Sequence, residues 1–299
     1  MQISHVLPLL CSIALAATTA HAKLNVVAST PDLGALASAI GSNHIELTVL
    51  AKPTEDPHFV DAKPSFKVKL MRADVLIEGG ADLETGWIPP LVDDSRNNKI
   101  QSGQPGRVIA AEGISLLEIP ATLDRSKGDI HAAGNPHFMS DPANGRIVAA
   151  HICEVFCKLD AGSAGFYKAN LKTFTDLLDA KMKEWKATMT PLQGSSVVSY
   201  HDSWPYFAKE FGLKMDLFLE PKPGIPPTPA HLAQVIAEMK EKKIRVIIVQ
   251  AYQNRKIAET VAGHTGAAAL DFPLFPGYNQ SYIDWIDSLV KSLSSTLNK

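Results

Sequence analysis

Four side chains in this 299-residue chain combine metal-ligating chemistry with a telling position: His58, His137, His201 and Asp271. His58 sits in the proline-flanked stretch EDPHFV and His137 in GNPHFMSDP. His201 directly follows the apolar run SSVVSY, and Asp271 directly follows AAAL. Three imidazoles and one carboxylate suit a borderline divalent ion, zinc foremost. Magnesium or calcium would want more oxygen donors. Taken singly, a loop histidine is more often a solvated surface group or a satisfied partner than a ligand, so the weight rests on the set. Of the other histidines, His131 lies six residues before His137 in a Gly-rich stretch and is an accessory candidate. His44 reads as solvated in a polar turn and His151 as helix packing. His231 falls in a first helical turn, and His264 near a helix C-terminus, where a cation is favoured.

Positioning these groups requires a scaffold, and the pattern supplies one. Strand LNVVAST (24–30) leads to a helix with Thr30 as cap, Pro31 at its first position and Gly41 at its end. Strand IELTVL (45–50), a proline-rich loop, a helix over 65–73, strand DVLIEGG (74–80) and strand RVIAA (107–111) follow. Residues 113–140 read as loop. Asp141-Pro142 opens a helix to about Lys158, and a longer one spans about 163–188, with Phe166, Leu171, Phe174, Leu177, Leu178, Met182 and Trp185 at helical spacing. Then the order restarts. SSVVSY matches LNVVAST, SWPYFAKEFG matches PDLGALASAIG, LKMDLFLE matches IELTVL, and EPKPGIPPTP matches the first proline-rich loop. A helix over 228–242, the all-apolar strand IRVIIV, strand AAALD and a last helix over about 282–295 complete it. An internal repeat of two α/β lobes with parallel sheets is the expected fold, each lobe with its own core. Open parallel sheets bind ligands beyond the carboxyl ends of their strands, which is where the four candidates fall. The expected boundaries are 1–22 leader, 23–160 first lobe, 161–190 connecting spine helix and 191–299 second lobe.

Composition narrows the class. The chain is 45% hydrophobic and 20% charged with a net charge of −2, which excludes an electrostatic nucleic-acid binder and a disordered acidic chain. Residues 6–17 are apolar but shorter than the about 20 residues a membrane span needs. With Ala20-His21-Ala22 behind them, they read as a cleaved secretory leader that leaves Lys23 as the mature N-terminus. The n-region lacks Lys and Arg, and no small residue precedes Cys11, which argues against lipid anchoring there. Cys153 and Cys157 share a helix face; core packing, a disulfide and a metal pair all remain open.

The segments DPHFVDAKPS (56–65), NPHFMSDP (135–142) and SYHDSWPYFAKEFGL (199–213), with Leu270-Asp271, resemble the cluster 9 (cluster A-I) solute-binding proteins of zinc, manganese and iron ABC importers, most of all the zinc-binding members. The resemblance spans nearly all of the mature chain. It implies two α/β lobes joined by one rigid spine helix, little movement on closing, and His58, His137, His201 and Asp271 as metal ligands in the interlobe cleft. It further implies a monomeric periplasmic protein that hands its ion to an inner-membrane permease, with no catalysis and no nucleic acid. Two departures stand out: Met139-Ser140 beside His137, and Phe272 inserted between Asp271 and Pro273-Leu274, which makes Asp271 the least secure ligand. Manganese members usually place Glu where this chain has His201, so the donor set favours zinc, with manganese or iron(II) as alternatives. From other classes, a zinc hydrolase would need a base beside the metal, and neither HExxH nor GxSxG occurs. A haem, corrinoid or siderophore receptor would not need the histidines, and an adhesin without a transporter is the remaining rival.

Overall fold

The computed structural model describes residues 22–122, 128 and 131–298, so the leader reading for residues 1–21 lies outside the described residues. Two four-stranded parallel sheets form. The first contains β1 (Leu24–Ala28), β2 (Ile45–Val49), β3 (Val75–Glu78) and β4 (Arg107–Ile109) in the order β2-β1-β3-β4. The second contains β5 (Ser196–Ser199), β6 (Lys214–Phe218), β7 (Val246–Val249) and β8 (Ala268–Asp271) in the order β6-β5-β7-β8. The two orders are the same, element for element, so the repeat read from the chain is real in three dimensions. β3 and β7 are buried at every position, as strands covered on both faces must be.

Helices α1 (Pro31–Gly41), α2 (Pro64–Arg72) and α3 (Ile88–Ser95) cross between the first strands. Then α6 (Pro205–Phe211), α7 (Pro229–Glu241) and α8 (Arg255–Thr265) do the same in the second lobe. Prolines open α1, α2, α6 and α7, where the missing N–H costs nothing because the first helical turn has no internal acceptor. The expected Thr30 cap differs in detail: its hydroxyl donates to Asp32, and the Asp32 carboxylate accepts the Leu33 N–H at 3.0 Å. Burial pushes the Asp32 carboxyl up to about 6. The sequence pattern points to no helix between β3 and β4, yet α3 buries Ile88, Leu91 and Val92 on one face, with Pro89 and Pro90 in its first turn.

Between the sheets run α4 (Pro142–Leu159), capped by the Asp141 carboxylate, and the 26-residue α5 (Ala164–Met189). α9 (Tyr282–Leu297) ends the described chain and returns across the molecule to pack on α5 and α1. Among the described residues, no helix is long and apolar enough to cross a membrane. Cys153 and Cys157 on α4 are unbonded thiols with Sγ atoms 3.9 Å apart.

The expectation of one core per lobe needs correction. Each sheet has a private cluster on one face, around Leu76, Trp87 and Ile88 in the first and Ile247, Val249 and Val261 in the second. The other faces share one continuous core. It runs from Val26, Leu36 and Phe138 through Tyr167, Phe174 and Trp185 of α5 to Trp204, Phe207, Phe272 and Trp285. Burying that apolar surface between the lobes opposes any hinge that would expose it to water.

Polar ties reinforce the shared core. The Tyr206 hydroxyl of α6 donates to the Asn135 carbonyl at 2.7 Å and accepts the Leu117 N–H at 2.8 Å. The Tyr282 hydroxyl of α9 donates to the Met139 carbonyl at 2.8 Å, and Asn135 Nδ2 donates to the Asp202 carbonyl at 2.9 Å. Tyr206→Phe strands a buried carbonyl and an N–H. It should lower stability by about 1–3 kcal/mol, read as a fall in the urea midpoint at unchanged m.

Candidate metal centre

Three of the four sequence candidates meet. His58, His137 and His201 each offer a ring nitrogen, and these atoms all lie within 4.8 Å of one another. Ring centroids are 5.2 Å apart for His58–His137, 5.7 Å for His58–His201 and 5.6 Å for His137–His201. The group draws on both lobes: His58 from the loop between β2 and α2, His137 from the turn before α4, His201 from the residue pair following β5.

Each ring is aimed by its own fastening. The Trp87 indole donates to the Pro57 carbonyl at 2.8 Å and pins the His58 loop against the first lobe. His58 Nδ1 then meets Asp56 Oδ1 at 2.7 Å, and the His58 N–H donates to the same oxygen at 3.0 Å. His201 Nδ1 meets Glu220 Oε2 at 2.7 Å. A carboxylate accepts only from a protonated Nδ1, which leaves the Nε2 lone pair of each ring as the donor toward the cluster. The His137 segment is held through its backbone: its N–H donates to Asn135 Oδ1 at 3.0 Å, and the Ser140 hydroxyl donates to its carbonyl at 3.1 Å.

The electrostatics follow from burial and these partners. His137 is 6% exposed, and burial, then the neighbouring imidazoles, hold it well below the ordinary histidine value, so it is neutral. Burial also acts to lower His201, but the hydrogen bond and charge of Glu220 more than offset it, and the net shift is upward. For Asp56, burial acts upward, yet the contacts with His58 carry it below the usual carboxylate range. Nε2 of both His58 and His137 is buried without a hydrogen-bond partner. A buried polar atom left unpaired costs about 1–3 kcal/mol, a penalty that an ion bound there would remove.

Asp271 is not brought to this group. Its side chain is 79% exposed and ion-pairs with Arg255 at the start of α8. Neighbouring side chains on a strand point to opposite sides, so at the end of edge strand β8 it is Phe272, not Asp271, that turns inward. The Phe272 ring is fully buried, 4.5 Å from the Trp204 ring. Phe272 thus takes the inward position. His44 also differs from expectation: it stacks on Phe166 with centroids 4.0 Å apart and bonds Ser163 Oγ at 2.9 Å.

Sequence reasoning passed over Asp56 and Glu220 as partners. The signal was there in the repeat, since both lie in the proline-rich loops that follow the second strand of each lobe.

The architecture and site together define a two-lobed α/β binding protein with a histidine-rich metal-type centre between its lobes. The sequence pattern of the family described as zinc-uptake complex component A, periplasmic, matches residues 26–296, and the chain belongs to that family. A high-affinity zinc uptake system protein ZnuA from Paracoccus denitrificans is 27% identical over 289 residues, covering 85% of each chain. A manganese ABC transporter substrate-binding lipoprotein PsaA from Streptococcus mitis is 25% identical, covering 92% of this chain and 85% of that one. The iron ABC transporter substrate-binding lipoprotein MtsA of Streptococcus pyogenes is 24% identical over the same shares. A crystal structure of ZnuA superposes with a TM-score of 0.78 at 21% identity, covering 92% of this chain and 99% of that one.

Because an imidazole must lose its proton to bind a metal, affinity should fall as pH drops through the raised value of His201. Glu220→Gln removes the group that raises it. The pH at which zinc affinity begins to fall should therefore move downward, while affinity at pH 8 weakens about 10–100-fold through lost orientation. Competition with a chromophoric chelator across the pH range checks both parts; an unmoved pH profile would refute the assigned role of Glu220.

Proposed function

We propose that this protein captures a divalent transition-metal ion, zinc foremost, on His58, His137 and His201 and delivers it to the membrane permease of an ABC importer. The observation that carries the reading is the pair of buried, unpartnered Nε2 atoms on His58 and His137, within 4.8 Å of a His201 nitrogen. Imidazole donors favour zinc over manganese, which prefers oxygen. The relatives named above for zinc, manganese and iron make manganese and iron(II) the alternatives in the same role. The place of action is the periplasm, reached through the leader read at 1–22.

The reading is one of binding without chemistry. A zinc hydrolase needs a carboxylate free to take a proton from bound water. Here Asp56 and Glu220 are each engaged on an imidazole Nδ1, and Asp202 and Glu118, in the cavity wall beside His137 and His201, are hydrogen-bonded to each other. The shared core favours a receptor that binds with little movement. In that case the permease would recognise the metal-loaded cleft surface rather than a large closure.

Elemental analysis of protein purified without tag or chelator, followed by zinc and manganese competition, tests the proposal. One zinc per chain is expected, held more tightly than manganese. His58→Ala and His201→Ala should each abolish stoichiometric retention, while apo circular dichroism and the urea midpoint stay near wild type, because neither ring belongs to the shared core. Absence of any titratable site in the wild-type protein would end the metal reading.

A further inference from the structure

We propose that the ion's fourth donor is His131, making a four-imidazole centre in place of three imidazoles and the Asp271 carboxylate. This rests on the metal reading of the cluster and deepens it. The His131 ring centroid lies 5.2 Å from that of His58, the same separation as His58–His137 and shorter than His58–His201. With metal–nitrogen bonds of about 2.0–2.1 Å, imidazole centres lie about 3 Å from a tetrahedral ion and hence about 5 Å from each other. The 5.2–5.7 Å spacings among His58, His137 and His201 therefore suit rings that share one ion, and His131 stands at the same distance from His58 alone.

A second observation places His131 on the right side. A cavity of about 160 Å³ has His131 in its wall together with His137 and His201, two of the three clustered histidines. Its backbone neighbourhood is anchored there: the Ala132 N–H donates to Asp82 Oδ2 at 3.0 Å, and the Gly134 N–H donates to the His131 carbonyl at 3.2 Å. The His131 nitrogens stand outside the tight group of three, so engagement requires a side-chain rotation toward the ion. Asp271, by contrast, would have to leave Arg255 and change the face of the strand from which it projects.

Charge supports the same arrangement. Four neutral imidazoles leave the full double charge on the ion, and Asp56 and Glu220, one step out on Nδ1 of two ligands, supply two negative charges to balance it. Placing the anions in the outer shell keeps the donor set all nitrogen, which favours zinc over manganese more strongly than three imidazoles with a carboxylate would.

Zinc-edge X-ray absorption on the zinc-loaded full chain, together with chelator competition for zinc and manganese, tests this on wild type, His131→Ala, Asp271→Ala and His58→Ala. Four imidazoles are expected in wild type and in Asp271→Ala, and three in His131→Ala. His131→Ala should lose about tenfold or more in zinc affinity, with a smaller loss for manganese, and Asp271→Ala should match wild type. Three imidazoles in wild type, or unchanged affinity in His131→Ala alongside a collapse in His58→Ala, would overturn the fourth-donor assignment and leave the three-histidine reading standing. Equal zinc binding by wild type and His58→Ala would overturn both.

Discussion

The structure depends on how the segment from Asn135 to Asp141 is clamped between the lobes. It carries His137 into a desolvated position, and it is held from the second lobe by Tyr206, Tyr282 and the Asp202 carbonyl. Beneath it lies Phe138, fully buried in the core that both lobes share. A loop with this many unprotected backbone groups can be buried only if each finds a partner. Here several of those partners come from the other half of the molecule, so fixing the histidine and fixing the lobes against each other are one event.

The outer carboxylates do a different job. Asp56 and Glu220 set the tautomers of His58 and His201 and keep their Nε2 atoms turned inward. They also bring negative charge near the centre without becoming donors themselves. His137 has no such carboxylate and is tuned by burial instead. One ring is thus held neutral by desolvation, while another is drawn toward the charged form by a carboxylate. His201 therefore takes up a proton at a higher pH than His137 does.

Relatives named for zinc, manganese and iron share about a quarter of their residues with this chain over most of its length. That range of cargo on one fold fits a division of labour. The lobes and the long α5 helix, joined through the shared core, provide the frame on which the cleft residues stand. At the end of β8, Phe272 fills the inward position with an aromatic ring, and the neighbouring Asp271 carboxylate lies in solvent.

Much of this was legible in the chain itself. Alternation of apolar strands with capped, proline-opened helices defined the two α/β lobes and their repeat, because strand and helix periodicities are local properties. The histidine trio was legible for the same reason, since each member follows or precedes an element at the binding end of a sheet. What only the tertiary structure decided was everything set by contacts between distant parts of the chain. The core turned out to be shared because α1, α4, α5, α6 and α9 pack with both sheets into one continuous cluster. Glu220 became the partner of His201 across 19 residues. Asp271 projects away from the three histidines because side-chain direction on a strand alternates with every residue, and the pairing of β8 with β7 sets which face it takes. Position along the chain names the residues near a site; the face from which each one projects is decided only when the strands are paired and packed.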